Sequence, residues 1–173
     1  MSTRTLDIGC GGNPRNPFGV DEVHGLDING FPEKNVIACD LVVNPIPYPS
    51  NYFDYVTAYD FIEHVPRVIY NPHRRFPFVE LMNEIWRVLK LGGQFAHSTP
   101  AYPNPCAFRD PTHVNIITDE TFPLYFDDKN RFADIYGFRG SFEIIKQLWV
   151  PNGTHLQTLM KKVEPIILNI SKN

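Results

Sequence analysis

Cysteine is scarce in this chain: Cys10, Cys39 and Cys106 are the only three among 173 residues. An odd number without CxxC spacing argues against a disulfide framework and predicts a reduced, cytoplasmic setting. Long apolar runs are missing as well. No stretch approaches the roughly 18 residues of a membrane span, and no basic-then-apolar leader pattern is read at the start, so no membrane association is expected. A basic excess is also lacking, since 16 Lys+Arg stand against 19 Asp+Glu for a net charge of −3. That balance gives no clear electrostatic footprint for nucleic acid. Internal repeats and low-complexity segments do not occur. The remaining composition, 43% hydrophobic and 20% charged, is that of a soluble globular protein, and the length predicts a single domain over 1–173.

Proline is the residue in excess, with 16 copies gathered at 45–49, 66–77 and 100–111, which predicts long ordered loops there. Between the loops, short apolar runs read as strands over 3–8, 23–28, 35–40, 53–59 and 94–98. The clearest helix is 76–89, where Val79, Met82, Ile85, Trp86 and Leu89 fall on one stripe and Gly92-Gly93 is read as the stop. A second helix is expected over 118–126, with Thr118 as N-cap and Asp119 and Glu120 in the first turn. Segments 142–150 and 155–163, separated by Pro151-Asn152-Gly153, read as an antiparallel hairpin. Two prolines and two asparagines in 13–17 speak against a regular helix after the first strand. The fold class expected is α/β, a three-layer doubly wound Rossmann-like sheet, mostly parallel, with an antiparallel C-terminal hairpin strand and one thin helical layer.

The most informative stretch is Leu6-Asp7-Ile8-Gly9-Cys10-Gly11-Gly12, a buried strand running into a glycine turn. It is answered by Gly25-Leu26-Asp27-Ile28, a second strand ending on an acid. In a doubly wound sheet, nucleotide-like ligands sit where the strands end. Glycines let the backbone approach the ligand, and an acid about 20 residues on accepts from ribose hydroxyls.

With these residues in view, the chain resembles the class I S-adenosylmethionine-dependent methyltransferases over about residues 3–100. The resemblance implies that Asp7, Gly9, Cys10 and Gly11 belong to the cofactor turn and that Asp27 and Ile28 meet the ribose. It further implies that Asp40 and Leu41 stand beside the adenine and that Tyr59 closes the fourth-strand motif. Ile62-Glu63-His64-Val65 and Trp86–Gly93 are similar to the segments that follow that strand in the family. Two departures stand out: Asn13 occupies the place of a third glycine, and the first helix is proline-broken. A nicotinamide dehydrogenase, the other Rossmann-type reading, requires that third glycine and an unbroken helix aimed at a pyrophosphate.

Methyl transfer requires an acceptor held against the donor and, for a hydroxyl or amine, a group to take its proton. Such groups are expected after the fourth and fifth strands. His113 is the first candidate for general base, with Asp110 and His64 behind it. Asp60, Glu63, His64 and His113 together also resemble the ligand set of metal-assisted O-methyltransferases, which would add Mg²⁺ or Mn²⁺ to S-adenosyl-L-methionine as cofactors. Tyr102, Phe108, Phe122, Tyr125 and Phe126 are candidates for an acceptor pocket or for plain core. His73-Arg74-Arg75 could meet an anionic group or simply face solvent. The expected partner is a small-molecule substrate. An RNA or sugar 2′-O-methyltransferase and a non-catalytic cofactor-binding subunit remain as alternatives.

Overall fold

Runs of β-branched and aromatic residues, too short and too evenly apolar for helices, build the sheet at the centre of the molecule. The computed structural model describes residues 2–165, so Met1 and 166–173, part of the expected domain span, lie outside the described residues. The strands are β1 (Arg4–Ile8), β2 (Glu22–Asp27), β3 (Val36–Ala38), β4 (Phe53–Tyr59), β5 (Leu89–Pro100), β6 (Phe142–Trp149) and β7 (His155–Lys162). They form one sheet in the order β3-β2-β1-β4-β5-β7-β6. The pairs among β1 to β5 are parallel, and β7 runs antiparallel to both β5 and β6. This is the mostly parallel α/β sheet with a C-terminal hairpin that the sequence predicts. The strand order reverses between β1 and β4, which opens a crevice at their carboxyl ends, the place where doubly wound sheets bind ligands.

Register decides which side chains share a face. Leu6 pairs with Val56 and Val56 with Phe95, while Ile8 pairs with Ala58 and Ala58 with His97. All six lie on one buried face. Helix α1 (Pro77–Val88) covers that face, burying Phe78, Val79, Leu81, Met82, Ile85 and Val88. The opposite face carries Asp7, Tyr55 and Thr57, and there the chain after β1 is loop rather than helix. Phe18 of that loop stacks on Tyr55 with ring centroids 4.0 Å apart. Proline and asparagine in 13–17 remove donors and favour turns, so the second layer is thin.

Two local expectations need correction. Helix α1 does not run on to Gly92-Gly93; Leu89 already has extended backbone (φ −68, ψ 141). The chain passes from α1 into β5 without a loop because Leu89 pairs with Phe53 and Lys90 Nζ bonds both oxygens of Asp54 at 2.8 Å. Gly92, at φ +78, serves the irregular register that follows. The helix expected over 118–126 is only α3 (Thr121–Tyr125), and Thr118 is not its N-cap. Instead the Thr118 amide donates to Thr121 Oγ1 at 3.0 Å and Thr121 N donates back to Thr118 O. That pair closes a turn of its own, so the helix starts after it. Between β5 and α3 lies one more short helix, α2 (Cys106–Arg109).

His97 carries a testable consequence of this packing. It is 2% exposed, lies 4.2 Å from the Phe122 ring, and neither ring nitrogen has a partner among the described residues. Burial pushes its pKa down to about 3. Below a pH of about 6.5 the unfolded chain binds a proton that the folded chain refuses, so stability falls as pH drops, by about 1.4 kcal/mol per unit. Between pH 7.5 and 4.5 the wild type is expected to lose about 3 kcal/mol more than His97→Leu in urea unfolding. Parallel losses in the two proteins would contradict this.

Candidate active site

The turn after β1 is built by two glycines in the left-handed region, Gly9 at φ +67 and Gly11 at φ +56. The amides of Gly9 and Cys10 both donate to Leu26 O, at 2.8 and 3.3 Å, which seats the turn on β2. A Cβ on Gly9 would stand 2.4 Å from the Phe61 ring, so glycine is required there on two counts. Over Gly11 no atom lies within 4 Å of the position a Cβ would take. Open space above a glycine turn at a strand end is what close approach of a ligand requires.

Asp27, the last residue of β2, takes the Gly11 amide on Oδ2 at 2.8 Å and the Asn29 amide on Oδ1 at 3.0 Å. One accepted bond per oxygen fixes the carboxylate and leaves each oxygen further lone-pair capacity, enough for two ribose hydroxyls. Asp7 sits underneath. It is 2% exposed, accepting Thr57 Oγ1 at 2.6 Å and the Arg15 amide at 2.8 Å. Burial pushes its pKa upward against those bonds. Asp7 therefore ties the loop after the turn to β4. The Cys10 thiol is pushed up to about 11, chiefly by burial and then by the charges of Asp7 and Asp27, which leaves it un-ionised at neutral pH.

On the other side of Asp27, Ile28 is 70% exposed and forms, with Ala38, Cys39 and Asp40, part of a cleft of about 530 Å³. Asp40 accepts the Val42 amide on Oδ1 at 2.9 Å, and Leu41 is buried beside it. An apolar wall next to a half-exposed carboxylate suits a flat heterocycle carrying an amino group. Tyr59 closes β4, with the Arg15 guanidinium carbon 4.4 Å from its ring centroid.

Beyond β4 the chain makes a 3-10 turn, Ile62–His64. Glu63 is 1% exposed; its Oε2 accepts Thr99 Oγ1 at 2.7 Å and its Oε1 has no partner among the described residues. Burial pushes its carboxyl above the ordinary carboxylate range. The segment after α2 is docked onto this turn, since the amides of Val114 and Asn115 both donate to Glu63 O at 2.9 Å. Docking brings His113 beside His64, with ring centroids 4.9 Å apart and an angle of 78°. His113 Nδ1 is buried, again without a partner among the described residues. His64 Nδ1 meets Thr112 Oγ1 at 3.0 Å, and Thr112 Oγ1 in turn lies 2.6 Å from Asp110 Oδ1. Thr112's bonds hold the Asp110 carboxyl below its usual range. Glu63, His64 and His113 offer ligand atoms that all lie within 4.8 Å of one another.

Asp60 does not join them, which corrects the four-residue metal set. It follows β4 at φ +51, outside the 3-10 turn, and its amide is held by Ser98 O at 3.0 Å. Its Oδ1 lies 2.8 Å from His155 Nε2, across a cleft of about 510 Å³ that Arg15, Ser98 and Asn152 also line. Arg15 and His155 escape sequence reasoning. The signal for His155 was nonetheless there. An antiparallel strand at the end of a parallel sheet must begin where the parallel strands finish, so the turn before 155 had to sit at the ligand end.

The aromatic candidates separate cleanly. Phe122 and Phe126 are core, whereas Tyr102 and Phe108 are exposed and meet edge-on at 6.2 Å. Tyr125 lines a different cavity. In the basic cluster, Arg75 pairs with Glu80 and Arg74 lies over the Phe76 ring at 5.5 Å.

The sequence signature of a family described as a methyltransferase domain matches residues 6–97, from β1 to the middle of β5. The chain belongs to that family. It is a class I S-adenosylmethionine-dependent methyltransferase. The fold is similar to that of an S-adenosylmethionine-dependent methyltransferase from Archaeoglobus fulgidus, at 20% identity, with 92% of this chain and 86% of that one covered and a TM-score of 0.59. A second such enzyme, from Aquifex aeolicus, is 15% identical over 93% of this chain and 82% of its own, with a TM-score of 0.58. A Haloferax volcanii methyltransferase in complex with the Trm112 methyltransferase activator is also similar, at 15% identity, 94% and 82% coverage, and a TM-score of 0.60. No curated protein matches the chain. Among the described residues no helix is long and apolar enough to cross a membrane.

Proposed function

We propose that this methyltransferase acts on a hydroxyl or amine of a small-molecule acceptor, and that His113, backed by Glu63 and His64, takes the acceptor's proton. One observation carries the reading. Glu63 Oε1 and His113 Nδ1 are buried polar atoms without partners among the described residues, in one cluster beyond the end of β4. Leaving a buried polar atom unpaired costs about 1–3 kcal/mol, so an arrangement holding two of them together calls for a group that arrives from outside. The bound cofactor supplies an electrophilic methyl group. The chain's own part is to seat that cofactor on the glycine turn and Asp27, and to hold an imidazole beyond β4. Asp110, through Thr112, steadies His64, and the backbone of Glu63 anchors the segment that carries His113. The net charge of −3 supports an acceptor other than a long polyanion.

A second reading has support from the same cluster. One carboxylate and two imidazoles within 4.8 Å could hold a divalent cation, with Mn²⁺ suiting the mixed nitrogen and oxygen donors better than Mg²⁺. Such an ion would lower the pKa of an acceptor hydroxyl. The discriminating experiment follows labelled methyl transfer to a panel of small alcohols, phenols and amines before and after exhaustive chelation. Turnover unchanged within about twofold is expected for the imidazole base. A loss of about a hundredfold that Mn²⁺ restores would replace it with the metal reading. Transfer to none of the panel would contradict a small-molecule acceptor.

A further inference from the structure

We propose that a second cavity, bordered by the 114–116 strap that follows His113, binds the aromatic body of the methyl acceptor. The inference rests on the methyl-transfer reading above. The cavity has a volume of about 620 Å³, within the range of small-molecule sites. Its walls come from the start of α1, from the turn and helix at Thr118–Tyr125, and from Tyr136.

Its position ties it to the reacting cluster. The segment that leaves β4 at Tyr59 passes through Arg67 and Val68, which line the cavity, before α1 starts at Pro77. Ile117 pairs with Ala101 immediately after β5, so these walls lie at the ligand end of the sheet. Arg67 lines it and also holds the strap, donating from Nε to Asn115 Oδ1 at 2.7 Å and from Nη2 to Ile116 O. Asn115 in turn donates from Nδ2 to Ile62 O at 3.1 Å, and from its amide to Glu63 O. The strap thus presents His113 to the cluster at one end and Ile116 to the cavity at the other.

The lining defines the occupant. Phe76 and Tyr136 have centroids 5.2 Å apart, and Tyr125 lies 6.5 Å from Tyr136 at an interplanar angle of 22°. Both tyrosines remain exposed, at 37% and 41%. Phe78, Val79 and Leu124 supply the apolar remainder. Flat rings set around an open cavity favour another flat ring, which gains offset or edge contacts beyond simple area burial. The polar side chains in the lining, Arg67, Thr118, Glu120 and Thr121, offer both donors and acceptors, which suits a compound with one or two hydroxyl-type groups.

2-Naphthol is a suitable probe, because it is aromatic, small and carries one hydroxyl. Fluorescence titration of the intact protein is expected to give saturable binding, one molecule per chain. Leu124→Trp and Thr121→Phe, which fill the cavity, each weaken it at least about tenfold while S-adenosylhomocysteine binding stays within about twofold, since neither residue nears the glycine turn. Proton NMR adds a location: the ring signals of His64 and His113 shift on adding 2-naphthol, and those of His24 do not. Unchanged affinity in both variants, or no saturable binding, would overturn the proposal. Binding without any shift at His64 or His113 would overturn the assignment to the acceptor. If one variant fails to fold, the other and the NMR measurement decide the matter. A wild type that binds 2-naphthol but not S-adenosylhomocysteine would count against the methyl-transfer reading and leave the cavity standing.

Discussion

Asp27→Ala is expected to weaken S-adenosylhomocysteine binding by about a hundredfold or more. Each hydrogen bond from a hydroxyl to a carboxylate is worth about 1.5–3 kcal/mol, and the proposed seating of two ribose hydroxyls on Asp27 would give the wild type two of them. At about 1.4 kcal/mol per tenfold, that is two decades at the low end. The substitution also releases the amides of Gly11 and Asn29, which Asp27 holds at 2.8 and 3.0 Å, so the turn loses its fixed shape. Asp27 is only half-buried, and water can take over those amides. The fold is therefore expected to survive, with a melting temperature within a few degrees of wild type. Asp27→Asn keeps one acceptor oxygen and falls between the two. Calorimetric affinity within about threefold of wild type for Asp27→Ala would remove the ribose role.

The second large effect concerns His113. Proton transfer by a positioned side chain contributes about 10²–10⁴-fold, so His113→Ala is expected to lower kcat/KM by at least about a hundredfold. Binding of S-adenosylhomocysteine stays unchanged, because the imidazole faces His64 and Glu63 rather than the glycine turn. Glu63→Gln is a useful companion. It preserves the size of a side chain that accepts from Thr99 at 2.7 Å but removes its charge, and a smaller loss of about tenfold is expected. Full turnover of His113→Ala at every pH would show that another group, or none, takes the proton.

These effects can be assigned because much of the arrangement is local in sequence. The glycine turn and Asp27 follow from strand ends and spacing, whereas the role of Asp40 came only from the family resemblance; the turn is readable because a left-handed backbone admits few residues besides glycine. The sheet was legible for the same reason: Phe53–Tyr59 reads as a strand and is one. What sequence could not supply were contacts made across long separations. Asp60 and His155 are 95 positions apart and meet only because β7 runs antiparallel. Asp60 looked like a partner for Glu63 by proximity in the chain, yet its left-handed backbone and the Ser98 carbonyl turn it away. Thr118 was misread as a helix cap because its hydroxyl and amide close a turn with Thr121 instead, a competition that spacing alone does not resolve. The cavity beside α1 was invisible, since its rings come from 76–79, 118–126 and 136.

The measurement closest to the centre of this account is calorimetric titration of the wild-type protein with S-adenosylhomocysteine, alongside a nicotinamide dinucleotide. One site per chain with micromolar affinity for the first and no heat for the second is the expected result. A folded protein that binds neither, or prefers the dinucleotide, would contradict a glycine turn built to carry the methyl donor.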